Sequence, residues 1–295
     1  PNAVTLMSTV CSCSRLGRLK EGKSIHGFVI RTAVDTENDL MGPALIDLYA
    51  NCGKLKECHK VFEVTQDRRV VSWNLLISNY AREGMTIEAI KLFKQMLVEG
   101  IQPDSFTLSS VISACGDIGF SLLGCQIHSS ILKTGFSSEF VQNSLIDMYG
   151  KCGLLGSAHM TFDDTKQRGV VTWNTLITGL LQNGKSEEAI ALFSEMYAYA
   201  LEMDEVTFLS TIQACSNLGY IRKGKWIHHK MITSGMRKDM YIDTALIDMY
   251  AKCGDLQIAR KVFDSMLERS VVSWSTLLGA YGMHGQVDAA LLVFK

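Results

Sequence analysis

The chain has 295 residues, with 29 Lys and Arg against 30 Asp and Glu and a formal net charge of -1. That balance excludes a broadly basic nucleic-acid binder and leaves room only for a local basic stripe. With 47% hydrophobic residues, 20% charged residues and 3 prolines, the composition excludes a disordered chain and favours helices, and no apolar run reaches the roughly 18 residues of a membrane span.

In chain order, the first segment, 3–38, carries the close pair Cys11-Ser-Cys13 and then Gly22-Lys-Ser-Ile-His26. The pair lacks the spacing and the second partner pair of a zinc site. The segment 39–69 contains Leu45-Ile-Asp-Leu-Tyr-Ala-Asn-Cys-Gly53. In 70–104, Trp73, Leu76, Ile77 and Tyr80 mark one face of a helix that Gly84 ends. Thr86 is expected to cap a second helix, with Glu88 in its first turn. Ala89, Ile90, Leu92, Phe93, Met96 and Leu97 then form a stripe wide enough for a helix packed between neighbours, and Gly100 and Pro103 close the segment.

The segment 105–138 repeats the pattern. Its first helix carries Leu108, Val111, Ile112 and Cys115, a break spans Gly116–Gly119, and its second helix ends at Gly135. In 139–169 the first helix carries Leu145, Ile146 and Tyr149, Gly153 breaks it, and the second runs through Ala158 to Phe162. The remaining segments are 170–204, 205–239, 240–270 and a shorter 271–295.

Three markers recur about every hundred residues in one order. Val70-Val-Ser-Trp-Asn74 returns at Val170–Asn174 and Val271–Ser275; Leu45–Gly53 returns at Leu145–Gly153 and Leu246–Gly254; Ile25-His26 returns at Ile127-His128 and Ile227-His228. A fixed period means one structural unit copied along an axis, working through its repeated surface. The fold expected is all-α: a single array over 1–295, a right-handed α-solenoid superhelix of helix–turn–helix repeats. The segments have no strand-like alternation and no low-complexity linker.

Cys13, Cys115 and Cys215 fall at equivalent places, as do Cys52, Cys152 and Cys253. Equivalents a hundred residues apart are too distant to pair, so they serve as small apolar packers. The histidines at 26, 128 and 228 are repeat-equivalent and structural by the same argument, and His228-His229 has no metal-ligand partner at useful spacing. Neither a phosphate-binding loop nor the H-x-E with P-C-x-x-C pattern of the zinc deaminases occurs. The chain is expected to be non-enzymatic, with no catalytic residues, no metal and no cofactor.

These motifs resemble the pentatricopeptide repeat family, in particular its plant subclass built from P, L and S units. Val-Val-Ser/Thr-Trp-Asn with Pro103-Asp104 at the close resembles the P unit, at 70–104, 170–204 and, truncated, 271–295. Gly22–His26 resembles the L unit, at 3–38, 105–138 and 205–239. Leu-Ile-Asp-Met-Tyr-x-Lys-Cys-Gly resembles the S unit, at 39–69, 139–169 and 240–270. Lengths alternating between about 35 and 31, and the missing Trp-x2-Leu-Gly-x2-Tyr signature, set the chain apart from tetratricopeptide repeats.

The resemblance implies sequence-specific binding of single-stranded RNA, one base per repeat. The fifth and last residues of a unit would read the base and the second would wedge against it. Carried onto this chain, the readers are Asn74 with Asp104, Asn143 with Gly169, Asn174 with Asp204, Thr244 with Ser270, and Ser275 alone. The wedges are Val71, Val171 and Val272. Asn/Asp implies uracil, Asn/Gly a pyrimidine, and the Thr and Ser units a purine, so that with RNA parallel to the chain the target from residue 70 onward is 5′-UNYUNRR-3′. On local sequence alone the asparagines and aspartates are equally helix caps. Pro43 with Arg69 fits no pairing, and Met7 and Leu209, at the fifth place of L units, cannot bond a base edge. Ser109 holds that place in the L unit 105–138, and these units read as spacers or partner-binding units. Arg82, Lys151 and Lys252 share the thirteenth place, where the family often faces the RNA backbone, and Asn51, Gln182 and Met283 break that stripe.

By the same resemblance, the expected role is the targeting array of a C-to-U RNA editing factor of chloroplasts or mitochondria. A multiple organellar RNA editing factor protein would be a partner at the L units. The alternatives are a scaffold for such cofactors, or RNA binding in organellar splicing or stability. Both ends fall inside a repeat, so the chain is expected to be a fragment, cut shortly before a deaminase-like module.

Overall fold

The computed structural model describes residues 2–32, 41–66, 68–136, 138–236 and 239–294. Among them every regular element is an α-helix: α1 Ala3–Arg15, α2 Leu19–Thr32, α3 Met41–Asn51, α4 Leu55–Val64, α5 Val70–Arg82, α6 Thr86–Val98, α7 Ser105–Asp117, α8 Ser121–Thr134, α9 Glu139–Lys151, α10 Leu155–Asp164, α11 Val170–Gln182, α12 Ser186–Ala198, α13 Glu205–Leu218, α14 Ile221–Thr233, α15 Met240–Lys252, α16 Leu256–Ser265, α17 Val271–Met283 and α18 Val287–Phe294. Within each compact unit they come in antiparallel pairs joined by short turns. No helix among the described residues is long and apolar enough to cross a membrane.

The chain gathers into two compact units, Pro1–Met148 and Tyr149–Lys295. In the first, α1, α3, α5 and α7 stack in succession, with α2, α4 and α6 each wedged between a partner helix and the next first helix. In the second, α11, α13, α15 and α17 stack the same way. Each unit is thus a run of stacked helical hairpins, an α-solenoid arrangement in which each pair buries its apolar stripe against its neighbours.

Glycine sets the turn between α5 and α6. Gly84 sits at φ 75, where a side chain would clash, so the chain reverses within three residues of Arg82. That tight reversal corrects one expectation. Met85, with no side-chain bond, is the N-cap of α6, and its carbonyl accepts the first helical N–H, from Ala89, at 3.1 Å. Thr86 is already inside the helix and buried. A second glycine role is close approach: a Cβ on Gly22 would lie 2.4 Å from Leu48 Cδ2, and one on Gly224 2.5 Å from Met249 Sδ. The glycine of the Gly-Lys motif lets a second helix press against the next first helix.

Three kinds of junction between hairpins stand out among the described residues. At the first, a phenylalanine meets a tryptophan edge-on: Phe62 and Trp73 at 4.6 Å, Phe162 and Trp173 at 4.9 Å, Phe263 and Trp274 at 4.7 Å. An arginine lies over each phenylalanine ring, Arg68, Arg168 and Arg269 in turn. Each arginine also donates to a carbonyl at the end of the preceding helix, of Glu63, Asp163 and Asp264. The second kind pairs histidine with tyrosine: His26 Nδ1 with Tyr49 OH at 2.8 Å and His228 Nδ1 with Tyr250 OH at 2.9 Å. Burial lowers the His26 pKa and pushes that of Tyr250 up to about 12. The third kind is polar and forms the candidate site.

All nine cysteines are free thiols, with Cys13, Cys115 and Cys215 buried and Cys52, Cys152 and Cys253 half-buried. Burial pushes the Cys58 and Cys215 thiols up to about 12, which leaves them inert packers.

Candidate nucleic-acid interface

Asp104 and Asp204 each stand one residue ahead of a helix in extended conformation. That geometry makes an aspartate an N-cap. Asp104 Oδ1 accepts from the Thr107 backbone N–H at 2.9 Å, and Asp204 Oδ1 from that of Thr207 at 2.9 Å. The threonine hydroxyls accept in return from the aspartate backbone N–H, at 3.3 and 3.4 Å, which completes two capping boxes.

The same aspartates reach back to the preceding hairpin. Asn74 Nδ2 donates to Asp104 Oδ2 at 2.8 Å, and Asn174 Nδ2 donates to Asp204 Oδ1 at 2.8 Å. Thr107 Oγ1 donates to Asn74 Oδ1, and Thr207 Oγ1 to Asn174 Oδ1 at 2.7 Å. Each fifth-place asparagine is therefore held in a triangle with the last residue of its own segment and the third of the next. Asn74 is 8% exposed and Asn174 6%. Burial raises the aspartate pKa values, but the hydrogen bonds from the threonine and asparagine outweigh it and hold both carboxyls below the ordinary range. Both are anionic at neutral pH.

The two roles that local sequence leaves open separate here. The aspartates do cap, while the asparagines lie inside α5 and α11, whose N-caps are Arg69 and Gly169. Three residues before each asparagine, Val71 and Val171 stand 53% and 59% exposed. A β-branched apolar side chain left in water beside a polar pair suits the flat face of a base.

The other expected sites differ. Asn143 Oδ1 is buried with no hydrogen-bond partner among the described residues, and Gly169 is a helix N-cap with no side chain to offer. Thr244 donates to its own helix, to the Met240 carbonyl at 2.7 Å, and Ser270 caps α17 in a box with Ser273. Ser275 and Val272 are exposed. Of the thirteenth-place residues, Arg82 donates to Asn79 Oδ1 at 2.5 Å and lies 4.0 Å from Glu83, and Lys252 bonds Asp248 at 2.8 Å. Lys151 is exposed in the last turn of α9. The basic stripe is thus partly neutralised by its own helices.

Two features escaped the sequence reading. Thr107 and Thr207 complete the triangles, and Asp-x-x-Thr before an apolar run was signal enough to find them. The second place is also exposed and apolar outside the segments read as wedges, at Val4, Phe106 and Phe140 in the first unit and Val206 and Tyr241 in the second. Separately, a groove of about 480 Å³ lies over α8, with Phe93, Leu97, Pro103, Leu123 and Ile131 in its wall. Among the described residues no group of three or more His, Cys, Asp or Glu is placed to hold a metal.

Comparison with known proteins agrees with this architecture. Two models of pentatricopeptide repeats match, one over residues 68–117 and 168–217 and the other over 44–70, 143–170, 206–236, 244–271 and 272–295. A chloroplastic pentatricopeptide repeat-containing protein of Arabidopsis thaliana is 37% identical over 100% of this chain and 36% of its own length. A mitochondrial one from the same plant is 38% identical over 96% of the chain and 45% of its own length. The chain spans about a third to a half of the length of these relatives. The crystal structure of the pentatricopeptide repeat protein PPR10 from maize superposes with a TM-score of 0.55 at 20% identity, over 100% of this chain and 48% of that one.

Proposed function

The chain belongs to the pentatricopeptide repeat family, and from that premise we propose that it binds single-stranded RNA by sequence, one base per repeat. Its setting is a chloroplast or mitochondrion, the two compartments in the names of its relatives. Its role is to target C-to-U editing as a P, L and S array. The observation that carries the proposal is the recurrence, a hundred residues apart, of one composite site: an anionic Asn/Asp pair with an exposed valine three residues upstream. A structural cap needs the aspartate alone. The asparagine and the valine in water are what a base would use.

Asn74 with Asp104 and Asn174 with Asp204 select uracil, Asn143 with Gly169 a pyrimidine, and Thr244 with Ser270, and Ser275, purines. Val71, Val171 and Val272 support the base faces. Arg82, Lys151 and Lys252 contact phosphates, exchanging local partners for RNA. The L segments 105–138 and 205–239 pass a base without reading it. The preferred target is 5′-UNYUNRR-3′.

The test is binding of the 295-residue chain to that RNA against a scrambled one, for wild type and Asn74→Thr. Wild type is expected to prefer the target, and the substitution to move the first preferred base from U towards G. Equal binding of target and scramble overturns the proposal. Binding should also weaken with salt, with a slope near 0.7 per phosphate neutralised.

The groove over α8 favours a second reading, in which the segments between the readers hold a protein such as a multiple organellar RNA editing factor. A groove-wall change, Leu123→Glu, that abolishes capture of such a factor while sparing RNA binding would support it.

A further inference from the structure

The hydroxyls of Thr107 and Thr207 carry more than a helix cap. Each has one hydrogen and two acceptors in reach. For Thr107 these are Asn74 Oδ1 and Asp104 Oδ1, the latter at 3.0 Å; for Thr207 they are Asn174 Oδ1 at 2.7 Å and Asp204 Oδ1 at 2.8 Å. The carboxylate is already served by a backbone N–H and by the asparagine Nδ2. The amide oxygen has no donor among the described residues except the threonine, so the hydrogen belongs there. Both threonines are fully buried, so the amide oxygen is turned inward.

An asparagine amide can flip, and the two orientations present opposite chemistry: an N–H donor one way and a carbonyl acceptor the other. Here the flip is fixed from both ends. The carboxylate accepts only and demands Nδ2; the threonine supplies the hydrogen and demands Oδ1. One Nδ2 hydrogen is used on the aspartate, and the second has no acceptor among the described residues. Uracil and cytosine differ at this level, since the 4-position of uracil is a carbonyl acceptor and that of cytosine an amino donor.

We infer that Thr107 and Thr207 are specificity-positioning residues for the preceding repeat: by holding the amide oxygen inward, each makes its asparagine present an N–H and so select uracil over cytosine. The inference rests on the base-reading function proposed above and adds to each reading pair a third residue, from the following repeat. The chain holds its own contrast. At the junction ahead of α5, Pro43 stands at the fifth place with no amide to hold, and the third-place hydroxyl, Ser72 Oγ, is buried with no partner among the described residues.

The test measures binding of the 295-residue chain to RNAs with U or C at the first or fourth nucleotide of the target. Wild type should prefer U at both. Thr107→Val keeps the shape, removes the hydroxyl and is expected to lower the U-to-C ratio at the first nucleotide by about fivefold, the fold-change of one neutral hydrogen bond. Thr207→Val should do the same at the fourth nucleotide, and Thr107→Ser should restore the wild-type ratio. A threonine that only supports the fold would weaken U and C alike, or relax both nucleotides together, and either result overturns the inference. If wild type prefers U and the valine variants keep the full ratio, the inference falls and the RNA-binding function stands. If wild type does not tell U from C, both fall. Should the valine variants not fold, Thr107→Ala and Thr107→Ser decide at the same nucleotide: a U-to-C ratio lowered by alanine and kept by serine supports the lock, and a ratio kept by both overturns it.

Discussion

The aromatic junctions join a second helix to the first helix that follows it, the polar junctions join two successive first helices, and they divide two tasks between them. Ahead of α5 and α11, Phe62 against Trp73 and Phe162 against Trp173 bury large apolar surfaces under an arginine. One hairpin later, the Asn74/Asp104/Thr107 and Asn174/Asp204/Thr207 triangles bury polar side chains instead and keep a valine in water beside them. Trp73 and Asn74 are adjacent in the chain, so one helix presents its tryptophan to the hairpin behind and its asparagine towards the hairpin ahead. Stability is expected to follow the first kind of junction and base selection the second.

The strongest way to break that division is at the tryptophans. Trp173→Ala removes a side chain only 2% exposed and should cost about 3–5 kcal/mol in urea unfolding. Asn174→Ala, one residue on, takes one hydrogen bond from the aspartate and one from the threonine, which keep each other, and should cost about 1–3 kcal/mol. Equal costs would erase the distinction. The division sharpens if Asn174→Ala removes base preference at the fourth nucleotide while a milder aromatic change, Trp173→Phe, keeps it.

A smaller effect is a pH dependence to which the polar junctions contribute. Asp104 and Asp204 have folded pKa values below the ordinary carboxylate range. A depressed folded pKa adds stability above the unfolded value that is lost as pH falls through the folded one. Stability should therefore decline below about pH 5, where an unfolded aspartate begins to protonate. The double change Asp104→Ala, Asp204→Ala should flatten that acid limb and cost about 1 kcal/mol per cap at neutral pH. An unchanged acid limb would show that the triangles contribute nothing through charge.

Much of this was legible in the sequence, for reasons that differ by residue. The glycine turns and apolar stripes gave the helix pairs, because helical periodicity and left-handed turns are local chemistry. The second-helix cap at Thr86 was misjudged because a threonine after a glycine resembles a cap, whereas the tightness of the Gly84 turn decides where the helix begins. Asn74 and Asp104 came from resemblance. Their mutual bond spans thirty residues of chain, and no local pattern announces it. The local neutralisation of Arg82 and Lys252 was equally hidden, because it depends on which rotamer a long side chain takes beside its own helix.

The smallest effect tests whether the capping half of a triangle can be installed where it is missing. Gly169 is the N-cap of α11 with no side chain to accept a bond, and the third-place hydroxyl that follows, Thr172 Oγ1, is buried without a partner among the described residues. At the matching place ahead of α17, Ser270 and Ser273 form a capping box, so the backbone there admits one. Gly169 has φ -74 and ψ 172, extended values that any residue adopts, so Gly169→Asp should enter without strain. The carboxylate would take the Thr172 N–H and hydroxyl as Asp104 takes those of Thr107. Replacing a glycine cap by aspartate contributes only a few tenths of a kcal/mol. Pairing a buried hydroxyl that had no partner should bring the gain to about 1 kcal/mol, read as a higher urea midpoint at unchanged slope. Pairing it with Thr172→Val separates the parts: if the gain survives the loss of the hydroxyl it is a backbone cap alone, and if it vanishes the third-place hydroxyl is what an aspartate at the junction serves.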